Sequence, residues 1–257
     1  MRGYHGGWFA FALAVGLCAA ASAAPVKVVL VQDLFSDSRN TGGPFTVTLG
    51  ELNGSTFTAK AAPFETFCLE SAEYFNPGNY YKYDIATWAI NGLPNDTSPP
   101  DPTKSKIVGG VQVDPLDDES AWIYYQFRTN KSALKSTVAS LAAANSIAFD
   151  GSNDKDFYWG IQEAIWYLES SGPPTSKPSG QGKQLGWALA RWMLAGTNVS
   201  SADLAFAQSM VDVLNLYDRS NGAVKQSQLI LVPLPGAAWA GAALLAGLIV
   251  VRARRRA

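Results

Sequence analysis

The first half of the chain alternates apolar and polar positions in short segments, a pattern that predicts β-strands. We expect strands over residues 26–31, 45–49, 56–59, 64–70 and 80–85. Glycine, asparagine and proline between these segments supply turn chemistry, and Asn53-Gly54 is typical of a hairpin turn. The polar, proline-rich stretch 91–116 predicts a loop, and residues 121–127 predict one further strand.

The second half of the chain has apolar residues at helical spacing. We expect helices over residues 132–144, 157–169, 183–194 and 201–219, followed by a last strand over residues 226–232. Strands followed by helices, without regular alternation of the two, predict the α+β class. We therefore expect an antiparallel β-sandwich or barrel-like N-terminal part with a helical subdomain in the second half.

Both ends of the chain have the patterns of targeting segments. Residues 1–23 place Arg2 before an apolar run and end in Ala-Ser-Ala, which predicts a signal peptide. The apolar stretch 236–251 predicts a C-terminal transmembrane helix. Residues 24–232 then form one domain. The arginines expected to hold the helix at the cytoplasmic side are Arg252, Arg254, Arg255 and Arg256.

A short proline motif, Val232-Pro233-Leu234-Pro235, precedes the apolar stretch. The order of proline motif, apolar helix and basic tail resembles the PEP-CTERM sorting signal of Gram-negative bacteria. Leu234 stands where that family usually has Glu, and a simple tail anchor is the alternative. The resemblance implies that an exosortase-like membrane enzyme processes residues 233–257. The protein would then be released to, or attached at, the cell surface or extracellular matrix.

Charge and the rarest side chains exclude several classes of function. The formal net charge is −1, but five of the 20 Lys and Arg lie in the two ends, whereas all 21 Asp and Glu lie between them. An acidic domain without a basic run is a poor candidate for binding nucleic acid. The one histidine is His5, and Cys68 is the one cysteine outside the predicted signal peptide. Residues 24–232 therefore lack a Ser–His or Cys–His pair and an internal disulfide, and we expect no metal and no cofactor.

Two short motifs carry the candidate chemistry. Residues 64–70 read Phe-Glu-Thr-Phe-Cys-Leu-Glu and contain Cys68, and residues 158–168 read Tyr-Trp-Gly-Ile-Gln-Glu-Ala-Ile-Trp-Tyr-Leu and contain Gln162. Together they resemble the thioester domains of bacterial surface proteins, best known as adhesins of Gram-positive cells. That family has a Cys on an early strand and a later apolar-Gln-x-Ala-Ile-Trp motif. The resemblance implies an internal thioester between Cys68 and Gln162.

The chemistry of the two side chains agrees with this resemblance. A thiol attacks a carboxamide carbon and expels ammonia when a fold holds the two groups in contact. The thioester would then acylate an amine or hydroxyl of a partner once, without turnover, so we expect no enzyme activity. Its survival requires a dry surrounding. The aromatic residues suited to that lining are Phe64, Phe67, Trp159 and Trp166. The acids nearest in sequence to the two reacting residues are Glu70 and Glu163.

Two other functions stay open on the sequence alone. Cysteine is among the most buried residue types, so Cys68 is alternatively a buried free thiol and Gln162 a surface residue of its helix. The protein would then be a non-covalent structural or binding module of the biofilm or exopolysaccharide matrix. A hydrolase that uses Asp and Glu ranks last because no paired carboxylate motif is recognisable.

Overall fold

The computed structural model describes residues 25–35, 43–70, 76–90, 105–149, 151–170 and 172–232. The predicted signal peptide, residues 1–23, lies outside the described residues. So do Pro233, Leu234 and Pro235 of the sorting motif, the predicted membrane helix and the arginines behind it. These features stay predictions. Among the described residues, no helix combines the length and the apolar character needed to cross a bilayer.

The described residues form ten strands and five helices. The strands are β1 (Val26–Asp33), β2 (Phe45–Asn53), β3 (Thr56–Ala59), β4 (Phe64–Thr66), β5 (Tyr80–Ala86), β6 (Trp88–Ile90), β7 (Lys106–Val108), β8 (Val111–Pro115), β9 (Val211–Tyr217) and β10 (Val224–Leu231). The helices are α1 (Asp118–Thr129), α2 (Lys131–Ala144), α3 (Asp154–Glu169), α4 (Gln181–Leu194) and α5 (Ser201–Met210). Helices and antiparallel sheet confirm the α+β class.

Seven of the strands form one antiparallel sheet in the order β10-β9-β5-β1-β2-β3, with β4 also paired to β2. Val31 pairs with Val47 in the long β1–β2 ladder, and both side chains are buried in the core of the sheet. The described strands form no closed barrel. The prediction of a sandwich or barrel-like part holds only in part, because the segment after β4 meets β10 through the single bridge between Cys68 and Gln228 rather than through a full ladder. Helix α1 packs against β9 and β10.

The larger core lies between the helices and the face of the sheet on which α1 packs. Its centre is aromatic: the rings of Phe67 and Phe127 meet edge to face with centroids 4.8 Å apart. Val213 of β9 and Leu229 of β10 belong to the same core. Phe67 therefore faces the helices, whereas its neighbour Cys68 belongs to the core of the sheet, as the alternation of side chains along an extended segment requires.

Several elements of the first half differ from the sequence prediction. The predicted strand 64–70 is regular only over β4, and β6 was not predicted. Residues 121–127, predicted as a strand, lie inside α1, where Ser120, Ile123, Tyr124 and Phe127 are buried at helical spacing. The aromatic residues of this segment, which are common in strands, led to the wrong prediction. The predicted loop 91–116 contains β7 and β8, a hairpin that pairs with β6 in a separate three-stranded sheet.

The second half largely follows the prediction. The predicted helices 132–144, 157–169 and 183–194 are α2, α3 and α4, and the predicted last strand is β10. The predicted helix 201–219 is wrong beyond Met210, because residues 211–217 form β9 between β5 and β10. Val211, Val213 and Leu216 are buried there, so pairing with two neighbouring strands outweighs the helical spacing.

Helices α3 and α4 pack closely, and glycine at the contact permits it. A Cβ atom on Gly186 of α4 would lie 2.5 Å from the Cβ atom of Glu163 and 2.8 Å from the main-chain nitrogen of Ala164, both on α3. This close packing holds α3 in place, and with it Gln162, which lies on that helix.

Substitution of this glycine tests the contact. Alanine in place of glycine normally stabilises a helix by about 1 kcal/mol. We expect Gly186→Ala instead to lower the free energy of unfolding by about 1–3 kcal/mol, because the added methyl group overpacks the interface. Urea unfolding of the two proteins measures the difference, and a variant more stable than the wild type would contradict the packing described.

Candidate functional site

Cys68 lies just after β4, where the chain leaves β2 and runs beside β10. The N–H of Leu69 donates to the carbonyl of Ser227 (3.1 Å), and the N–H of Leu229 donates to the carbonyl of Phe67 (3.1 Å). Cys68 and Gln228 thus face each other in an isolated antiparallel bridge whose hydrogen bonds belong to their neighbours. In such a pair the two side chains lie close together, and the N–H and C=O of Cys68 point away from β10.

The side-chain amide of Gln162 satisfies both of these main-chain groups. The N–H of Cys68 donates to Oε1 of Gln162 at 2.9 Å, and Nε2 of Gln162 donates to the carbonyl oxygen of Cys68 at 2.8 Å. Both residues are fully buried. The fold therefore brings the two residues singled out by the sequence motifs into direct contact. The alternative that placed Gln162 on the surface of its helix is wrong.

Gly43 makes room for the amide. In the β2–β4 ladder Phe45 pairs with Thr66, so the same register continued would set Gly43 opposite Cys68. The Gln162 amide occupies this position: a Cβ atom on Gly43 would lie 2.5 Å from Oε1 of Gln162. The φ angle of Gly43 is +139°, a conformation that favours glycine. The amide thus takes the place of a strand partner for Cys68.

The sulfur atom of Cys68 lies in the core of the sheet. Phe45, Val47 and Leu214 belong to the same buried cluster. Nε2 of Gln228 donates a hydrogen bond to Sγ at 3.0 Å. Burial raises the pKa of the Cys68 thiol well above its ordinary value; the Gln228 bond lowers this pKa, and the charge of Glu70 raises it further. Cys68 is therefore a neutral thiol at neutral pH.

The two acids nearest in sequence lie in different places. Oε2 of Glu70 accepts the N–H of Ser227 at 2.8 Å, on the strand that faces Cys68. Glu163 lies against Gly186 of α4. Burial raises the pKa of Glu163, and the charge of Lys183 opposes this shift. Glu70 therefore influences the sulfur electrostatically, whereas Glu163 belongs to the helix interface.

The predicted aromatic lining is only partly at the site. Phe64 packs against the cluster that contains Cys68, and Phe67 faces the helical core. Trp159 instead contacts Gly182 of α4. Nε1 of Trp166 is buried and has no hydrogen-bond partner among the described residues. Much of the dry surrounding of the sulfur comes from apolar residues of the sheet, such as Phe45 and Val47, rather than from the tryptophans.

The two hydrogen bonds place the Gln162 carboxamide, on which a thiol attack would occur, against the main chain of Cys68. The Cys68 N–H that binds Oε1 of Gln162 would stabilise the negative charge that develops on this oxygen. Nε2 of Gln162, the atom that would leave as ammonia, donates to the carbonyl of the same residue. Within the described parts of the chain, no group of three or more His, Cys, Asp or Glu side chains is placed to hold a metal ion.

Sequence reasoning missed Gly43 and Gln228. It assigned Gly43 to turn chemistry alone and took Gln228 as an ordinary member of the last strand. One signal was available for Gln228, because Gln226, Ser227 and Gln228 are three polar residues in succession immediately before the apolar residues 229–232. All three are buried. Polar side chains in a buried strand require partners, and here Cys68 is one of them.

Comparison with known proteins gives limited information. No family model matches the chain, and no curated protein matches it significantly. The fold is similar to that of the N-terminal domain of the pilus tip adhesin Cpa of Streptococcus pyogenes. The two share 13% sequence identity with a TM-score of 0.40, over 82% of this chain and 95% of the other. A similarity at this level carries no argument about function.

Substitution of Gly43 tests whether this glycine makes room for the Gln162 amide. We expect Gly43→Ala to lower the free energy of unfolding by about 2 kcal/mol or more, because displacing the Gln162 amide leaves the buried N–H and C=O of Cys68 without partners. Hydrogen exchange should then accelerate at the Cys68 amide.

The matched control is Gly54→Ala. Gly54 also has a positive φ, +61°, but a Cβ atom there would meet nothing within 4 Å. This variant should show backbone strain of only about 1–2 kcal/mol and leave exchange at Cys68 unchanged. A Gly43→Ala variant in which the Cys68 amide stays protected would contradict the arrangement.

Proposed function

We propose that this protein attaches covalently to a partner through an internal thioester between Sγ of Cys68 and the side-chain carbonyl carbon of Gln162. The observation that supports this most directly is the reciprocal pair of hydrogen bonds between the Gln162 carboxamide and the main chain of Cys68. These bonds fix the acyl group beside the residue that carries the nucleophile, as an intramolecular reaction requires.

Formation of the bond needs no external base. The sulfur attacks the carbonyl carbon, the carbon–nitrogen bond breaks, and ammonia leaves with the proton that the thiol releases. The neutral state of Cys68 fits this balance, because the thiol still carries that proton when the reaction begins. Full burial of both residues keeps water from hydrolysing the product.

Transfer to a partner would occur once per molecule. An amine or hydroxyl attacks the thioester carbonyl, forms an amide or ester with Gln162 and frees the Cys68 thiol. A protein consumed in this way is not an enzyme. The targeting patterns support a setting for the reaction: export, anchoring by the C-terminal helix, and processing by an exosortase-like enzyme. The target would be a surface or matrix component.

One observation favours a second function. In the carboxamide form Oε1 and Nε2 of Gln162 both have hydrogen-bond partners, and the buried thiol is neutral. These contacts also suit a matrix module without covalent chemistry, in which Gln162 serves as a structural bridge and Cys68 packs as a small apolar residue.

Intact mass spectrometry separates the two functions. We expect the purified protein to be one ammonia lighter than its sequence. Methylamine should add at Gln162, replacing the lost ammonia and freeing one thiol at Cys68. Methylamine is expected to react there because the carbonyl carbon of the thioester is the electrophile that the amine attacks.

The controls are Cys68→Ala and Gln162→Ala. Each removes one partner of the bond, so both variants should have the mass of their sequence and take up no methylamine. A wild-type protein of unmodified mass, with a thiol that reacts only after unfolding, would contradict the proposed function and favour the non-covalent module.

A further inference from the structure

The geometry points to Gln228 as the hydrogen-bond donor that stabilises negative charge on the Cys68 sulfur during acyl transfer. This inference rests on the proposed function, because it concerns the same sulfur atom. It assigns a chemical role to a residue that neither sequence motif contains.

The position of Gln228 depends on the pairing of β10 with the segment that follows β4. Gln228 and Cys68 are 160 residues apart in the chain, yet they face each other in the bridge described above. Nε2 of Gln228 lies 3.0 Å from Sγ, and the whole residue is buried. The donor therefore lies against the reacting atom and is shielded from water.

Packing alone does not explain this glutamine. Its Oε1 atom is buried and has no hydrogen-bond partner among the described residues. A buried acceptor without a partner is unfavourable, and an apolar side chain of similar size would avoid that disadvantage. The carboxamide of Gln228 donates a hydrogen bond to the sulfur, which an apolar side chain could not do.

The charge that Gln228 would meet appears when the thioester opens. The nitrogen of an amine attacks the carbonyl carbon of Gln162, and the carbon–sulfur bond breaks with its electron pair passing to Sγ. A proton from the amine nitrogen then reaches Sγ, which leaves an amide at Gln162 and a thiol at Cys68. Between these events the sulfur is negative, and a hydrogen bond to a charged acceptor is stronger than one to a neutral acceptor.

The polar side chains of Glu70 and Gln226 do not supply the same stabilisation. The charge of Glu70 disfavours negative charge on the sulfur. Gln226, two residues earlier on the same strand, donates from its Nε2 to the main-chain carbonyl of Glu70 instead. Gln226 and Gln228 are therefore a matched pair: both are buried glutamines of β10, and the donor of Gln228 reaches the sulfur.

The test compares methylamine opening in full-length Gln228→Leu and Gln226→Leu, followed by intact mass. Loss of the donor should slow opening of the thioester by about tenfold to a hundredfold in Gln228→Leu. Gln226→Leu should stay within about threefold of the wild type, because its amide does not contact the sulfur. If Gln228 had a purely structural role, Gln228→Leu should instead open faster than the wild type, because looser packing would admit methylamine more readily.

Each outcome decides the inference. Slower opening in Gln228→Leu than in Gln226→Leu supports the role. A folded Gln228→Leu that forms no thioester while Gln226→Leu forms it indicates a structural role instead and overturns the inference. Where Gln228→Leu does not fold, Gln228→Met replaces it as an unbranched variant without a donor. A wild-type thioester with Gln228 variants that open as fast or faster overturns this inference alone. A wild-type protein that has not lost ammonia overturns the proposed function with it.

Discussion

The two hydrogen bonds between the Gln162 carboxamide and the main chain of Cys68 are the interaction on which the site depends. Three features of the fold converge there. The pairing with β10 turns the N–H and C=O of Cys68 away from that strand, Gly43 leaves space beside them, and the close packing of α3 on α4 holds the glutamine in place. The side chain of a helix thus completes hydrogen bonding that a strand would otherwise supply.

The site consists of neutral groups in a dry surrounding. Cys68, Gln162 and Gln228 are all fully buried, and the pKa of the thiol is raised by that burial. The proposed reaction would depend on fixed contact rather than on an activated thiolate, because a charged sulfur is unfavourable in a buried site before the reaction begins. The same burial protects a thioester from water. Under the proposed function, a partner nucleophile would have to reach the carbonyl carbon of Gln162 through the protein around it.

Local pattern accounts for much of the fold. Apolar residues recur at helical spacing in α2, α3 and α4, and this spacing predicted the three helices. In α4 burial extends around the helix, over all of residues 185–190. The segment that follows Met210 was predicted wrongly because its buried side chains follow neither the helical repeat of 3.6 residues nor the two-residue repeat of a strand. Its pairing with β5 and β10 determines that it is a strand. The hairpin of β7 and β8 was not predicted because apolar residues such as Ile107 and Val111 are exposed in it. Its sequence therefore lacks the alternation of buried apolar and exposed polar residues that indicates a strand.

The candidate site divides in the same way. Cys68 and Gln162 were identifiable because each lies in a short motif that can be read without the fold. Gly43 and Gln228 were not, because their roles arise from strand pairings between distant parts of the chain. A glycine before a proline indicates a turn, and a glutamine in a strand indicates nothing until its partner across the ladder is known.

Carbon-13 NMR of protein labelled at the side-chain carbonyl of glutamine tests the central claim most directly, because it observes the proposed bond itself. The account predicts one resonance in the thioester range, far from the carboxamide signals, and its disappearance in a Cys68→Ser sample. A folded wild-type protein with every glutamine carbonyl in the carboxamide range would contradict it.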